Sequence, residues 1–134
     1  MDPTEFIHSH MPLCATLGMT ASELDPSRVV VHLEWRPELC TANGLLHGGA
    51  VMALADAAGG ACAALNLPAG STGTSTIESK TNFLGAIREG RTVTASSTPL
   101  HTGRTTIVVE TELRTDDGRL VGKTTQTQSV LRAV

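Results

Sequence analysis

Asn43-Gly44-Leu45-Leu46-His47-Gly48-Gly49-Ala50-Val51-Met52-Ala53-Leu54-Ala55-Asp56 is the stretch on which the reading of this chain turns. A polar, glycine-bearing loop runs into a segment made almost wholly of small apolar residues, which predicts a helix over Gly48 to Asn66, stopped by Pro68-Ala69-Gly70. A helix that begins on two glycines presents free backbone N–H groups and the positive end of its dipole, the two things a developing oxyanion needs. Two turns further in, Asp56 is an acid among Ala, Gly and Leu, and a charge so placed needs a partner or a task. An oxyanion site together with a carboxylate suggests acyl transfer to water.

The rest of the chain frames that helix. Asp2-Pro3-Thr4-Glu5 reads as a helix start, with an apolar face that Pro12 interrupts and Gly18 ends. Met19 to Leu24 reads as a short strand, and Asp25-Pro26-Ser27 as a turn. Arg28 to Arg36 alternates, Val29, Val31, Leu33 and Trp35 facing one way. After the irregular segment Pro37 to His47 and the helix, the chain reads as β-structure to its end. Strands are expected at Thr74 to Leu84, Arg91 to Leu100, Arg104 to Arg114 and Arg119 to Leu131. In the first of these Ile77, Ser79, Thr81 and Phe83 oppose Glu78, Lys80 and Asn82; in the third Ile107, Val109, Thr111 and Leu113 share a face. Asp116-Asp117-Gly118 is a hairpin turn between the last two. One long helix on one curved, mostly antiparallel sheet of five or six strands is an α+β arrangement in a single domain spanning residues 1–134. Gly59 and Gly60 inside the helix cost about 1 kcal/mol each relative to Ala, so the sheet or a partner helix should approach closely there.

Composition removes several function classes. The chain has 134 residues, a net charge of −3 and a pI near 5.9, whereas a nucleic-acid binder needs a concentrated basic face. Phe6, Phe83 and Trp35 are its only aromatic residues, too few for a base-stacking platform. Cys14, Cys40 and Cys62 show neither disulfide nor zinc spacing and read as buried free thiols. His8, His10, His32 and His101 are too scattered for a metal site. Met1 to His10 carries neither a basic region nor a long apolar run, so no secretory signal and no membrane span are expected, and the expected location is the cytoplasm.

These residues, in this order, resemble the hotdog-fold thioesterases, in the branch that includes phenylacetate-pathway and 4-hydroxybenzoyl-CoA thioesterases. The pattern is Gly44-x-x-His47-Gly48-Gly49, then Leu54-Ala55-Asp56, a strand ending Asn82-Phe83-Leu84, and a Gly103-Arg104-Thr105 turn before a long strand. The resemblance spans Phe6 to Leu131 and implies a hotdog fold and hydrolysis of a coenzyme A (CoA) thioester without a cofactor. It implies that the Gly48 N–H polarises the thioester carbonyl and that Asp56 is nucleophile or general base. Thr76 is then the hydroxyl that orients water or acid. CoA contacts are implied at Phe83, Leu84, Gly85, Ala86 and Arg88, and at His101, Gly103, Arg104 and Thr105. Relatives carry Asn or Gln six residues before the His; here that position is Thr41, and either Thr41 or Asn43 fills the role. His47 is a base or, the preferred reading, the anchor of its loop. Leu45, Leu46 and Met52 are candidate acyl contacts. A hydratase or dehydratase on the same fold, or a non-catalytic acyl-CoA sensor, are the competing functions.

One inference needs no relative. Gly48 and Asp56 are eight residues apart, about 12 Å along a helix, whereas a nucleophile and an oxyanion donor must each lie within about 3–3.5 Å of one reacting group. If both act, two helices run antiparallel across a twofold axis. A homodimer is then required, and the resemblance implies that dimers pair into tetramers.

Overall fold

The computed structural model describes residues 1–134. Its centre is helix α3, Gly48–Leu65, of which Val51, Leu54, Ala55, Ala57, Ala58, Gly59, Ala61, Cys62 and Ala63 are buried. Helix α1 (Pro3–His10) and helix α2 (Pro12–Leu17) precede it, divided at Met11 because Pro12 cannot continue α1. Gly18 ends α2 in the left-handed conformation, at φ 76°.

Six strands form one antiparallel sheet: β1 (Thr20–Asp25), β2 (Arg28–Glu34), β3 (Ser71–Phe83), β4 (Thr92–Thr102), β5 (Thr106–Thr115) and β6 (Leu120–Arg132). Their order is β1-β2-β4-β5-β6-β3, and all six pack against α3. By length and mean hydropathy (1.4) α3 matches a bilayer span, but half of it is buried, as befits the core helix of a wrapped sheet. The face of β5 toward it is the expected one: Ile107, Val109, Thr111 and Leu113 are all fully buried.

Two expectations change. Strand β2 ends at Glu34, and half-buried Trp35 instead donates from Nε1 to the Gly44 carbonyl at 2.9 Å, pinning the loop before α3. In β3 the alternation proposed for Ile77, Ser79, Thr81 and Phe83 breaks, because the register with β6 slips between Thr76 and Glu78. Thr74 and Thr76 pair with Val130 and Gln128, while Ser79 and Thr81 pair with Gln126 and Thr124. A bulge inverts parity, so even-numbered residues before it and odd-numbered ones after it share a face. Ile77 falls at the bulge and is 62% exposed.

The sheet is what approaches Gly59. A Cβ there would collide with the Gln126 side chain and lie 3.2 Å from Val109. At Gly60 a Cβ would meet nothing within 4 Å.

Candidate active site

The start of α3 is built by its own capping. His47 Nδ1 accepts from the Gly49 N–H at 2.7 Å, and the His47 carbonyl accepts from Ala50 and Val51. An accepting Nδ1 leaves the proton of the neutral ring on Nε2. His47 is thus the N-cap, and a Cβ at Gly49 would press on its ring at 2.9 Å. The Gly48 N–H alone among these first donors has no acceptor within the chain. A Cβ at Gly48 would stand 3.2 Å from the tip of the Phe83 ring, so a side chain there has to push that ring aside.

Gly48 opens onto a cavity of about 200 Å³ whose lining includes Thr41, Leu45, Leu46, Phe83, Gly85 and Ala86. The structure therefore brings together Gly48, Thr41 and most of the first candidate CoA segment. Arg119, which the sequence did not single out, holds that segment by donating to the Ala86 carbonyl. Asn43 lies elsewhere. It occupies the tip of the loop closed by the Cys40–Leu46 bridge, at φ 65°, a left-handed turn position that Asn tolerates. His47 and the exposed Met52 do not line this cavity, and Leu84 and Arg88 are exposed beside it.

Asp56 is exposed on α3, two turns beyond Gly48. With Met11, Leu13, Cys14, Met19, Ala53 and Ala57 it lines a separate cavity of about 280 Å³. A third, of about 380 Å³, lies over Gly60 between α3 and α1, with Thr74 and Gln128 among its lining. Within one chain Gly48 and Asp56 share no cavity, as their spacing on the helix demands. Burial, and then the charge of Asp56, raise the Cys14 thiol, while burial pushes Cys62 up to about 11. Neither is a thiolate nucleophile near neutral pH.

Gln126 holds Asp56: its Nε2 donates to Asp56 Oδ1 at 2.9 Å. Sequence reading overlooked it, although alternation along β6 places Thr124, Gln126, Gln128 and Val130 on one face and so marks two amides as core-facing. Thr76 does not touch Asp56. Its hydroxyl donates to Gln128 Oε1 at 2.6 Å, and Gln128 in turn accepts from Gln126.

The second candidate CoA segment is not beside the first. His101 lies at the end of β4, and Gly103, Arg104 and Thr105 form the β4–β5 turn, where the Val130 N–H donates to the Thr105 carbonyl. Val130 pairs with Thr74, nine residues of β3 from Phe83, or about 30 Å. Neither Arg88 nor Arg104 forms an ion pair within the chain.

Residues 43–122 match the family model of the Thioesterase superfamily. The chain belongs to that family. It is 34% identical over 116 residues to SSO2140 of Saccharolobus solfataricus, which carries a provisional esterase designation, covering 87% of this chain and 81% of that one. Among solved structures, the thioesterase HI1161 of Haemophilus influenzae is 27% identical with a TM-score of 0.83, covering 94% of this chain and 90% of its own. The E. coli PaaI protein of the phenylacetic acid degradation operon superposes at a TM-score of 0.88 over 98% of this chain and 93% of its own. At 18% identity that likeness shows the fold alone. The fold is the hotdog, and the protein is a thioesterase-superfamily hydrolase.

Proposed function

We propose that this protein is an acyl-CoA thioesterase that releases a free acid and CoA, with each active site shared between two copies. The observation that carries the proposal is the unpartnered Gly48 N–H at the start of α3, opening onto an apolar cavity, with Asp56 eight residues along the same helix. The N–H polarises the thioester carbonyl and stabilises the oxyanion. The carboxylate of the second copy either takes a proton from the attacking water or itself attacks the carbonyl carbon. In both routes the C–S bond breaks and the thiol leaves.

β3 is an edge strand, open to pairing with a second copy. An antiparallel pairing of two such edges would set the Phe83–Arg88 end of one chain toward the Arg104 turn of the other, joining the two candidate CoA segments that one chain holds about 30 Å apart. Arg88 and Arg104, free of internal ion pairs, are then available to CoA phosphates. Thr41 takes the place of the carbonyl- or water-holding amide. Aliphatic linings suit an uncharged acyl group, an aromatic ring or a medium chain. A homodimer is the minimal active unit and a tetramer the expected assembly; a cytoplasmic location suits three unpaired cysteines.

The test is thiol release from a panel of CoA thioesters. Asp56→Asn should lower turnover about 10²–10⁴-fold while CoA binding and folding persist. A purified variant with near-normal turnover would remove Asp56 from the chemistry. A wild-type protein that binds acyl-CoA without releasing thiol would make it a sensor instead.

A further inference from the structure

Gln126 lies on β6 against α3 with no exposed surface. Its Nε2 donates to Asp56 Oδ1 at 2.9 Å and to Gln128 Oε1 at 2.8 Å. Its Oε1 is buried with no hydrogen-bond partner, lodged against Gly59 where any Cβ would displace it. Folded chains rarely leave a buried acceptor unpaired, and such an exception asks for a reason.

The direction of this amide is imposed from the far end of a relay. The Ser129 carbonyl can only accept, so the Thr74 hydroxyl donates to it, at 2.9 Å. Thr74 Oγ1 must then accept from Gln128 Nε2, at 3.1 Å. That turns Gln128 Oε1 toward Gln126, where it receives both the Thr76 hydroxyl and Gln126 Nε2. Exchanging the oxygen and nitrogen of Gln126 would set its carbonyl against two acceptors, Gln128 Oε1 and the Asp56 carboxylate. The relay therefore delivers an N–H donor to one oxygen of Asp56, whose Oδ2 has no partner in the chain.

Stability alone does not call for this. Asp56 is exposed in the single chain, and water would satisfy it. An apolar side chain at position 126 would abolish the orphaned Oε1. What the amide adds is a fixed rotation of the carboxylate.

We propose that Gln126 is a positioning residue for hydrolysis: its amide, oriented through Gln128 and Thr74, holds Asp56 Oδ1 and leaves Oδ2 to the water or the thioester carbon. This rests on Asp56 being the reacting carboxylate. Gly59 belongs to the same device, since only glycine admits the Gln126 amide at that depth.

Gln126→Met keeps length and bulk and removes both donors. In the oligomeric protein its kcat should fall about 10–100-fold with KM within about threefold of wild type, the loss expected when a reacting group is misaimed rather than removed. Its melting temperature should equal or exceed that of wild type, because the unpaired acceptor is gone. Unchanged kcat with a lowered melting temperature would show a structural role and overturn the proposal. Should Gln126→Met not fold, Thr74→Val decides by freeing the relay at its anchor. A kcat loss of about 3–10-fold at constant KM supports the proposal, and an unchanged kcat overturns it. Added to Asp56→Asn, the Gln126→Met change should cause no further loss, since Gln126 acts only through the carboxylate. An active Asp56→Asn defeats the hydrolytic assignment itself; an inactive Asp56→Asn beside an unimpaired Gln126→Met defeats only the positioning role.

Discussion

Gly59 and Gly60 stand side by side in α3, yet a methyl group added at the first meets Gln126 and Val109, while one added at the second meets nothing within 4 Å. Substitution by alanine should therefore act with opposite sign. Gly59→Ala overpacks the contact with the sheet and should destabilise by about 1–3 kcal/mol. Gly60→Ala relieves the helix of a flexible residue and should stabilise by up to about 1 kcal/mol. Denaturant unfolding of the two variants checks this, and equal shifts would contradict the packing. At this scale the sequence was legible where chemistry is local. Asp56 stood out as a lone acid, and the His47 cap lies two residues from the N–H it accepts. Gln126 did not stand out, because its partner lies seventy residues away in the chain and only the folded register brings them within bonding distance.

At the scale of elements, β3 is a thirteen-residue strand at the edge of the sheet, with Ile77 and Phe83 exposed at 62% and 52%. A long edge with exposed apolar side chains is a pairing surface, and chains that avoid pairing place charges on it. Ile77→Lys should therefore yield a monomer by light scattering and lose most thioesterase activity, as the proposed sharing of each site between two copies requires. A fully active monomer would refute the shared site. The boundaries of the strands followed from alternation to within a few residues, but the bulge at Ile77 did not. A bulge is a mismatch between two strands, and one strand's sequence carries no record of its partner's count.

For the whole molecule, the separation of about 12 Å between Gly48 and Asp56 makes complementation the decisive measurement. Gly48→Val pushes Phe83 away and blocks the N–H side; Asp56→Asn removes the carboxylate side. Each homo-oligomer alone should be nearly inactive. Mixed under subunit exchange, the two should form heterodimers in which one site carries both lesions and the other neither, so part of the activity returns. Heterodimers demonstrated by mass spectrometry without returned activity would place the two residues in separate roles.

The sequence by itself determined the one long helix, the antiparallel strands that follow it, the glycine-bearing helix start and the acid eight residues on. All of these are short-range: helical and strand periodicity, a cap, and a fixed rise per residue express themselves within about a dozen positions. Tertiary structure alone decided that the two candidate CoA segments lie at opposite ends of β3, that Thr76 reaches Asp56 only by way of Gln126, and that Asn43 is spent on a turn. Each depends on which strands become neighbours and in what register. That is settled by burying one face of the whole sheet against α3, a condition no local stretch of this chain contains.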